Sequence, residues 1–388
     1  MVYRFITLAD IHWGAMDSQL TYDNLQLVLR FIEKMQGKID FVVIAGDYFD
    51  YRIQLNSKTA LLAVQWFDEL IHTCKSNGVK KVRMLKGTRE HDNDQLEVFR
   101  PPYETDDGFF RLFNTTTAED LFDDLRVVYC PDENMNLEDY QMNYWDRFSR
   151  AIDIGFFHGN FDTILPSVEF NRIQEHHLAT MIYRYYVFSR LIRGPLICGH
   201  WHVAQEYEAQ YYVGSFDRWK FNEEDPKGFI YGEYDTDTYK YLIHRVTNPN
   251  ARVYKTMIVL DADYRYPADF AILSDKVRLM LREDPEMKLR IVYVVSNPDE
   301  DILKTFNVFQ QQFSNNRQIK TELKDLVKRE QKKHRKETVA LDSKQYGYIY
   351  NKDITAVPEI IRQFIRDKKK EDLPIEVIQK HVQKYLSQ

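Results

Sequence analysis

The stretch Phe41-Val42-Val43-Ile44-Ala45-Gly46-Asp47 decides the fold, because an apolar, β-branched run ends abruptly in Gly-Asp. Such a run predicts a buried strand whose carboxyl end opens into a loop. In open α/β sheets, ligands lie beyond the carboxyl ends of the strands, so Asp47 stands where a site would be. Taken alone, Asp47 is explained equally well as a cap of the next helix. Whether other strands end in the same way decides between the two interpretations.

The chain around this stretch alternates between apolar runs of strand length and segments with apolar residues at helical spacing. Strands are predicted at residues 3–9, 41–45, 79–85, 153–157, 195–198, 209–213 and 228–234. Helices are predicted at residues 22–35, 60–74 and 176–191, whereas residues 93–138 read as long loops with short elements. This alternation with short connections predicts a layered α/β domain.

The composition bounds the kind of protein. With 388 residues, of which 44% are hydrophobic, we expect two or three domains with real cores. A net charge of −6 means that a nucleic-acid role needs a local basic surface. Three scattered cysteines, an acidic start and no apolar run of about 20 residues favour a reduced, cytoplasmic compartment, with no signal peptide or membrane span.

Five predicted strand ends carry side chains of the metal-ligand type. They are Asp10 and His12, Asp47, Glu90 and His91, His158, and His200 and His202. A single D-x-H or H-x-H pair occurs by chance in many proteins, and a lone strand-end histidine is more often structural. The joint occurrence, each time after an apolar run, is much harder to obtain by accident. These residues therefore favour chemistry over capping at Asp47.

The residue types indicate which chemistry. Carboxylate and imidazole ligands without thiolates suit Mn, Fe or Zn better than Ca or Mg. About seven ligands are too many for one four- to six-coordinate ion, but they suit two ions that share a carboxylate. Two ions about 3.5–4 Å apart activate water and stabilise both oxygens of an in-line phosphoryl displacement. The residues thus predict a binuclear hydrolase of phosphate esters.

The order and spacing of these motifs resemble a known superfamily. The series Asp10-x-His12, Gly46-Asp47-x-x-Asp50, Gly87-…-His91-Asp92, His158-Gly159 and Gly199-His200-x-His202 is similar to the calcineurin-like metallophosphoesterases. The later Gly214-Ser215-Phe216 and Lys227-Gly228-Phe229 resemble the nuclease subunit of SbcC–SbcD and Mre–Rad type DNA repair complexes, a group that includes phage recombination nucleases. The resemblance covers about the first 230 residues. It implies an α/β fold with a metallophosphoesterase-type β-sandwich flanked by helices, a small α/β capping domain and a C-terminal helical hairpin.

The resemblance also implies roles for the motif residues. The first metal would be held by Asp10, His12, Asp47 and His202, and the second by Asp47, His158 and His200. We expect two Mn²⁺ ions, with Mg²⁺, Fe²⁺ or Zn²⁺ as alternatives. His91 would act as general acid or transition-state stabiliser, with Asp92 orienting it. Asp50 would orient a ligand, lie near the substrate strand or cap a loop.

One motif departs from the family pattern. The family normally has Gly-Asn-His followed by Asp or Glu, and its Asn binds the second metal. Here the segment Gly87-Thr88-Arg89-Glu90-His91-Asp92 is two residues longer and lacks the Asn. We predict Glu90 as the replacement ligand, with Thr88 as the alternative.

The implied function is a Mn-dependent DNA exonuclease and endonuclease of a phage or bacterium, the SbcD-like subunit of a complex with an SMC-like ATPase. Candidate DNA contacts are Lys86, Arg89, Arg218, Trp219 and Lys220. Dimerisation through helices of the first domain is also implied. Two rivals remain: a metallophosphatase acting on other phosphoesters, and a non-catalytic DNA-end scaffold.

The predicted domains are a nuclease domain (1–248), a DNA-capping domain (249–322), a charged linker (323–345) and a helical tail (346–388). The capping domain is predicted from strands at 253–260 and 289–295 and helices at 268–282 and 299–313. In the tail, Val357, Ile360, Ile361, Phe364 and Ile365 follow helical spacing, and a second such stripe follows Pro374. This hairpin would dock on the protein's own body or on the ATPase partner.

Overall fold

The computed structural model describes residues 1–133, 150–163, 181–221, 223, 225–296 and 298–325. Within the chain, two compact units are distinguished. The first comprises Met1–Thr256 with Asp284–Leu289, and the second comprises Met257–Glu283 and the chain from Arg290 onward. None of the helices in the described ranges has the length and apolar character needed to cross a membrane.

The described residues form seventeen strands and six α-helices. The strands are β1 (Val2–Leu8), β2 (Phe41–Ala45), β3 (Lys81–Leu85), β4 (Phe110–Phe113), β5 (Thr117–Phe122), β6 (Leu125–Cys130), β7 (Ile154–His158), β8 (Asn160–Phe161), β9 (Ile182–Tyr183), β10 (Leu196–Gly199), β11 (Gln205–Tyr207), β12 (Gln210–Tyr212), β13 (Gly228–Asp235), β14 (Tyr241–Thr247), β15 (Tyr254–Leu260), β16 (Lys288–Val295) and β17 (Ile319–Asp325). The helices are α1 (Ser18–Lys34), α2 (Lys58–Ser76), α3 (Arg100–Tyr103), α4 (Tyr185–Leu191), α5 (Pro267–Glu283) and α6 (Glu300–Phe313), and a 3₁₀ helix spans Gln95–Phe99.

Two six-stranded sheets build the first unit. The first has the order β14-β13-β1-β2-β3-β4, in which β1 to β4 are parallel. The second has the order β11-β12-β10-β7-β6-β5, in which β12, β10, β7 and β6 are parallel. An aromatic cluster between the sheets includes Phe5, Phe41, Tyr129 and Phe156, all fully buried. Stacked and edge-on rings of this size bury much apolar surface, so they hold the two sheets together.

Helices cover the outer face of the first sheet. The start of α1 is capped by Asp17, whose carboxylate accepts the N–H groups of Gln19 and Leu20 at 2.9 and 3.0 Å. The apolar stripes of α1 and α2 pack on β1 to β4, with Leu25 and Trp66 fully buried. A separate cluster around Phe188 of α4 covers the second sheet. The predicted β-sandwich flanked by helices is therefore confirmed.

Two local predictions differ from the structure, and one strand is missed. The described residues 93–133 contain the strands β4, β5 and β6, where long loops with short elements are predicted; the acid-rich β5 pairs with β6, and its Glu119 accepts a 2.6 Å bond from the buried Arg83. Of the helix predicted over 176–191, the structure describes residues 181–191, in which β9 comes first and α4 begins at Tyr185. The edge strand β14 is missed because its alternate side chains face solvent.

The second unit contains the predicted two-helix, two-strand pattern plus one further strand. Its sheet has the order β15-β16-β17, and α5 and α6 pack together through Phe270, Phe306 and Phe309. Most of the predicted charged linker and the whole predicted helical tail lie outside the described residues, so they stay predictions.

Candidate metal centre

The carboxyl ends of four strands from both sheets meet at one place. Asp10 and His12 follow β1, Asp47 follows β2, His158 ends β7, and His200 and His202 follow β10. Four of these residues have positive φ angles: Asp10 (51°), His12 (53°), Asp47 (49°) and His200 (91°). Non-glycine residues rarely adopt such angles, and they persist where the surrounding structure imposes them, typically at functional sites.

The first cluster consists of Asp10, His12 and His202. Their ligand-type atoms all lie within 4.8 Å of one another. The Nε2 atoms of His12 and His202 are 2.9 Å apart. Asp10 is completely buried, and its two carboxylate oxygens accept the backbone N–H of His200 at 2.9 and 3.0 Å. Three of the four residues predicted for the first metal are thus brought together.

The second cluster consists of Asp47, His158 and His200, again within 4.8 Å. Nδ1 of His158 contacts the carbonyl of Ala45 at 2.8 Å, which directs Nε2 towards Oδ1 of Asp47 at 3.2 Å. Nδ1 of His200 is buried without a hydrogen-bond partner in the described part of the chain, and Nε2 of His158 is buried with only its contact to the Asp47 carboxylate. Orphaned, buried imidazole nitrogens beside carboxylates are what a divalent metal would satisfy, so the residues fit a metal.

Asp47 lies between the two clusters. Its Oδ1 faces His158, while its Oδ2 is 4.0 Å from Nε2 of His12. Burial alone would raise the pKa of Asp47, but the surrounding histidines lower it well below its usual range. An ionised carboxylate with one oxygen towards each histidine set is suited to bridge two cations.

Two glycines make room for this carboxylate. A Cβ on Gly46 would lie 2.2 Å from Nδ1 of His158, and a Cβ on Gly87 would lie 2.1 Å from the backbone nitrogen of Asp47. Gly46 also has a φ of 83°, which disfavours any other residue. The glycines of the Gly-Asp and Gly-Thr segments are therefore required by close packing around Asp47.

The two candidates for the missing Asn ligand differ sharply. Thr88 is buried, and both its backbone N–H and its hydroxyl donate to Oδ1 of Asp47, at 2.7 and 2.9 Å. Glu90 is exposed and belongs to none of the metal-type clusters of the described residues. Of the predicted ligands, Glu90 is thus the one that the structure does not bring to the centre. Thr88 instead holds the carboxylate of Asp47 in place.

His91 lies at the open side of the centre. Its ring packs edge-on against His12 at 4.6 Å, and it forms a third metal-type cluster with His12 and Asp47. Nδ1 of His91 contacts the backbone carbonyl of Asp50 and lies 4.0 Å from the Asp50 carboxylate. That carboxylate is also 3.1 Å from Nδ1 of His12. Asp50 therefore faces both histidines.

We predict that Asp92 orients His91 directly, but among the described residues Asp92 makes no contact with the His91 ring. It is completely buried, and its two oxygens accept the backbone N–H groups of Phe49 and Gly87 at 3.0 and 2.7 Å. Burial and the neighbouring charge of Asp47 raise its pKa to about 7. Asp92 ties the loop after β2 to the loop after β3, so it positions both Asp47 and His91 through the backbone.

The predicted DNA contacts divide into two groups. Arg89 and Lys220 are exposed and Lys86 is half-buried, which leaves them accessible to a ligand. The guanidinium of Arg218 donates to the backbone carbonyls of Glu223, Asp225 and Arg252, at 2.8, 3.0 and 2.9 Å. Trp219 packs its ring against His12 at 5.8 Å, and Arg252 lies over it. Arg218 and Trp219 thus have structural contacts beside the centre.

Glu223 is not among the residues predicted from the sequence. Its Oε1 forms a 2.8 Å hydrogen bond with Nδ1 of His202. The residue is 2% exposed. Burial alone would raise its pKa, but the contacts with His202 and the backbone N–H of Trp219 lower it to about 2. It lies 21 residues beyond its partner in an irregular loop, so no local pattern in the sequence links the two.

The sequence of the chain matches a known protein family. A family model described as calcineurin-like phosphoesterase (Metallophos) matches residues 3–204, more than half of the chain. The matched segment contains both clusters and ends just after His202. No curated protein matches the chain significantly.

The charge on His158 predicts that metal binding depends on pH. Burial disfavours its cationic form, but the Asp47 carboxylate outweighs burial and raises the pKa from 6.5 to about 10. A metal must displace that proton, so Mn²⁺ affinity should rise with pH up to about pH 10. Titration calorimetry in buffers of different ionisation enthalpy should detect release of about one proton. The variant His158→Asn should lose this dependence; a pH-independent affinity in the unaltered protein would contradict the prediction.

The position of Asp47 predicts that Asp47→Asn weakens both metal sites together, because the amide cannot serve two cations as a carboxylate does. Glu90→Gln should leave both affinities within about twofold, because an exposed loop residue contributes little. Mn²⁺ titration of each full-length variant measures this. Selective loss of one site in Glu90→Gln would restore Glu90 as a ligand.

Proposed function

Because the chain belongs to the calcineurin-like phosphoesterase family, we propose that it is a Mn²⁺-dependent DNA nuclease similar to the SbcD subunit of two-protein repair complexes. It would act as an exonuclease on double-stranded ends and as an endonuclease on single strands or hairpins. The coarser part, metal-dependent hydrolysis of a phosphoester, follows from the family and from the candidate ligand clusters. The observation that carries the proposal is the position of Asp47 between two histidine-containing clusters.

Each residue of the centre has a distinct task. Asp10, His12 and His202 would hold one divalent cation, His158 and His200 a second, and Asp47 both. When bound, such cations supply Lewis-acid activation of water and neutralise charge on the phosphoryl group. His91 is 31% exposed at its side chain, and its Nε2 makes no hydrogen bond within the described residues. In the doubly protonated ring, Nδ1 would donate to the Asp50 carbonyl and Nε2 would give its proton to the departing oxygen of the cleaved strand, which leaves His91 neutral.

Cationic side chains near the centre support a nucleic-acid substrate. Lys86 and Arg89 flank the Gly87-Thr88 segment that contacts Asp47, and the ammonium of Lys220 is 3.8 Å from Glu223. Contacts from such side chains to phosphates would position a strand without reading its sequence. The net charge of −6 makes this local supply of positive charge necessary.

A metallophosphatase acting on other phosphoesters is the second candidate, since the family match covers the chemistry and not the substrate. The resemblance of Gly214-Ser215-Phe216 and Lys227-Gly228-Phe229 to nuclease subunits favours DNA. A second unit beyond the matched residues, with its own sheet and two helices, also favours a polymeric substrate over a small one.

The proposal predicts Mn²⁺-dependent cleavage of a linear duplex by the purified chain. His91→Asn should lower the rate by about 10²- to 10⁴-fold, the usual contribution of a general acid. His72→Asn, which changes an exposed histidine of α2, is the matched control and should cleave normally. Gel analysis of end-labelled DNA measures both.

Two outcomes of that assay would contradict the proposal. Turnover of a phosphomonoester without any DNA cleavage would identify a phosphatase. DNA binding without hydrolysis, unaffected by His91→Asn, would identify a scaffold.

The partner part of the proposal concerns the tail. An SMC-like ATPase would bind the apolar stripe predicted in residues 346–388, and the nuclease would form a homodimer through helices of the first unit. Deleting residues 346–388 should abolish co-purification with the ATPase and spare Mn²⁺-dependent cleavage by the isolated subunit. Retained co-purification would show that the tail is not the binding element.

A further inference from the structure

In both histidines of the first cluster, Nδ1 faces a carboxylate, which is not so in the second cluster. The Nε2 atoms of His12 and His202 are 2.9 Å apart. Asp50 is 3.1 Å from Nδ1 of His12, and Glu223 is 2.8 Å from Nδ1 of His202. A carboxylate at one ring nitrogen keeps the proton there and leaves the other nitrogen free as a ligand.

Glu223 is itself held firmly. Its Oε2 accepts the backbone N–H of Trp219 at 3.0 Å and lies 3.9 Å from Nζ of Lys227. The backbone carbonyl of Glu223 accepts a 2.8 Å bond from Arg218. Because the side chain is almost completely buried and both oxygens have partners, Glu223 can direct the imidazole of His202 rather than follow it.

The same loop also holds the backbone of His202 and the ring of His12. We call the described residues of this segment, 214–221, 223 and 225–227, the bracing loop. Nζ of Lys227 donates to the carbonyl of His202 at 2.7 Å, and Trp219 packs edge-on against His12 at 5.8 Å. One loop thus contacts both imidazoles of the first cluster.

The bracing loop begins after the family match ends at residue 204. The matched residues contain the candidate ligands, and the bracing loop supplies contacts with two of them. If Glu223 had only a structural role, the contacts of its Oε2 with Trp219 and Lys227 would be sufficient. The contact of its Oε1 with Nδ1 of His202 would not be needed.

We propose that Glu223 is a positioning residue of the first metal site, which fixes His202 with its proton on Nδ1 and its Nε2 available to a divalent cation. This inference rests on the metal centre of the proposed function. The outer partners of metal-binding histidines typically change metal affinity by about 10- to 100-fold. Loss of Glu223 should therefore weaken one of the two sites and spare the other.

The test is Mn²⁺ titration calorimetry of the full-length, metal-free protein and of Glu223→Gln and Glu223→Ala. We expect one of two affinities to fall by about 10- to 100-fold and the other to stay within about twofold. Glu206→Gln removes an exposed carboxylate of the same unit and is the matched control, expected to bind as the unaltered protein does. Asp47→Asn serves as the reference that loses both sites.

The outcomes separate the inference from the function beneath it. If the unaltered protein binds no divalent cation, the proposed function and this inference both fail. If it binds Mn²⁺ and Asp47→Asn does not, but folded Glu223 variants keep both affinities, only the inference fails. Equal weakening of both sites with a lower melting temperature of the metal-free variants would indicate a structural role and also overturn it.

A measurement on the unaltered protein covers the case in which the variants do not fold. Imidazole ¹⁵N spectra of the Zn²⁺-loaded protein should show His202 protonated at Nδ1 and coordinated through Nε2. Coordination through Nδ1 would contradict the proposal.

Discussion

The placement of one buried carboxylate, that of Asp47, constrains the rest of the first unit. It must be ionised and free of steric conflict, and it must present one oxygen to each histidine set. Two donors from Thr88 fix Oδ1, two glycines give the backbone space, and Asp92 ties the neighbouring loops together. An isolated buried charge would be very costly, so the histidines and N–H groups around it are a condition of its being there.

This arrangement makes the centre locally unfavourable. Four residues adopt left-handed backbone angles, and ring nitrogens are buried without partners among the described residues. Strain and unsatisfied polar groups of this kind persist only when the surroundings impose them. Here the aromatic cluster between the two sheets, with Phe5, Phe41 and Phe156 fully buried, fixes the strands whose ends carry the ligands. Packing between the two sheets stabilises the first unit, and the candidate metal ligands lie at the edge of this β-sandwich.

The contrast between buried strands and the loops that follow them explains which features the sequence predicts and which it does not. Buried parallel strands are continuous apolar runs, and the candidate ligands follow each run directly. The sequence therefore predicts the strand ends and six of the seven candidate ligands that the structure brings together. Edge strands such as β5 and β14 carry no such signal, because most of their side chains are exposed or half-buried and form no continuous apolar run. The contact of Glu223 with His202 and the backbone role of Asp92 depend on how loops pack. No spacing rule encodes these contacts, and Glu90 was chosen by its position in a motif that the loop does not keep.

The two clusters are also unequal, which bears on how the centre would work. The first offers Asp10, His12 and His202 together with Asp47; Glu223 hydrogen-bonds Nδ1 of His202, and the Asp50 carboxylate lies 3.1 Å from Nδ1 of His12. The second offers His158 and His200 with Asp47, and Thr88 contacts the carboxylate where the family has a ligand. More ligands and better-supported rings favour tight, permanent binding. Fewer protein ligands leave positions that water and a phosphate oxygen can fill, which is the property of an open, catalytic site. Under the proposed function, the lack of the family Asn would loosen the hold on the second cation without removing the reaction, and the substrate would bind on the side of His158, His200 and His91.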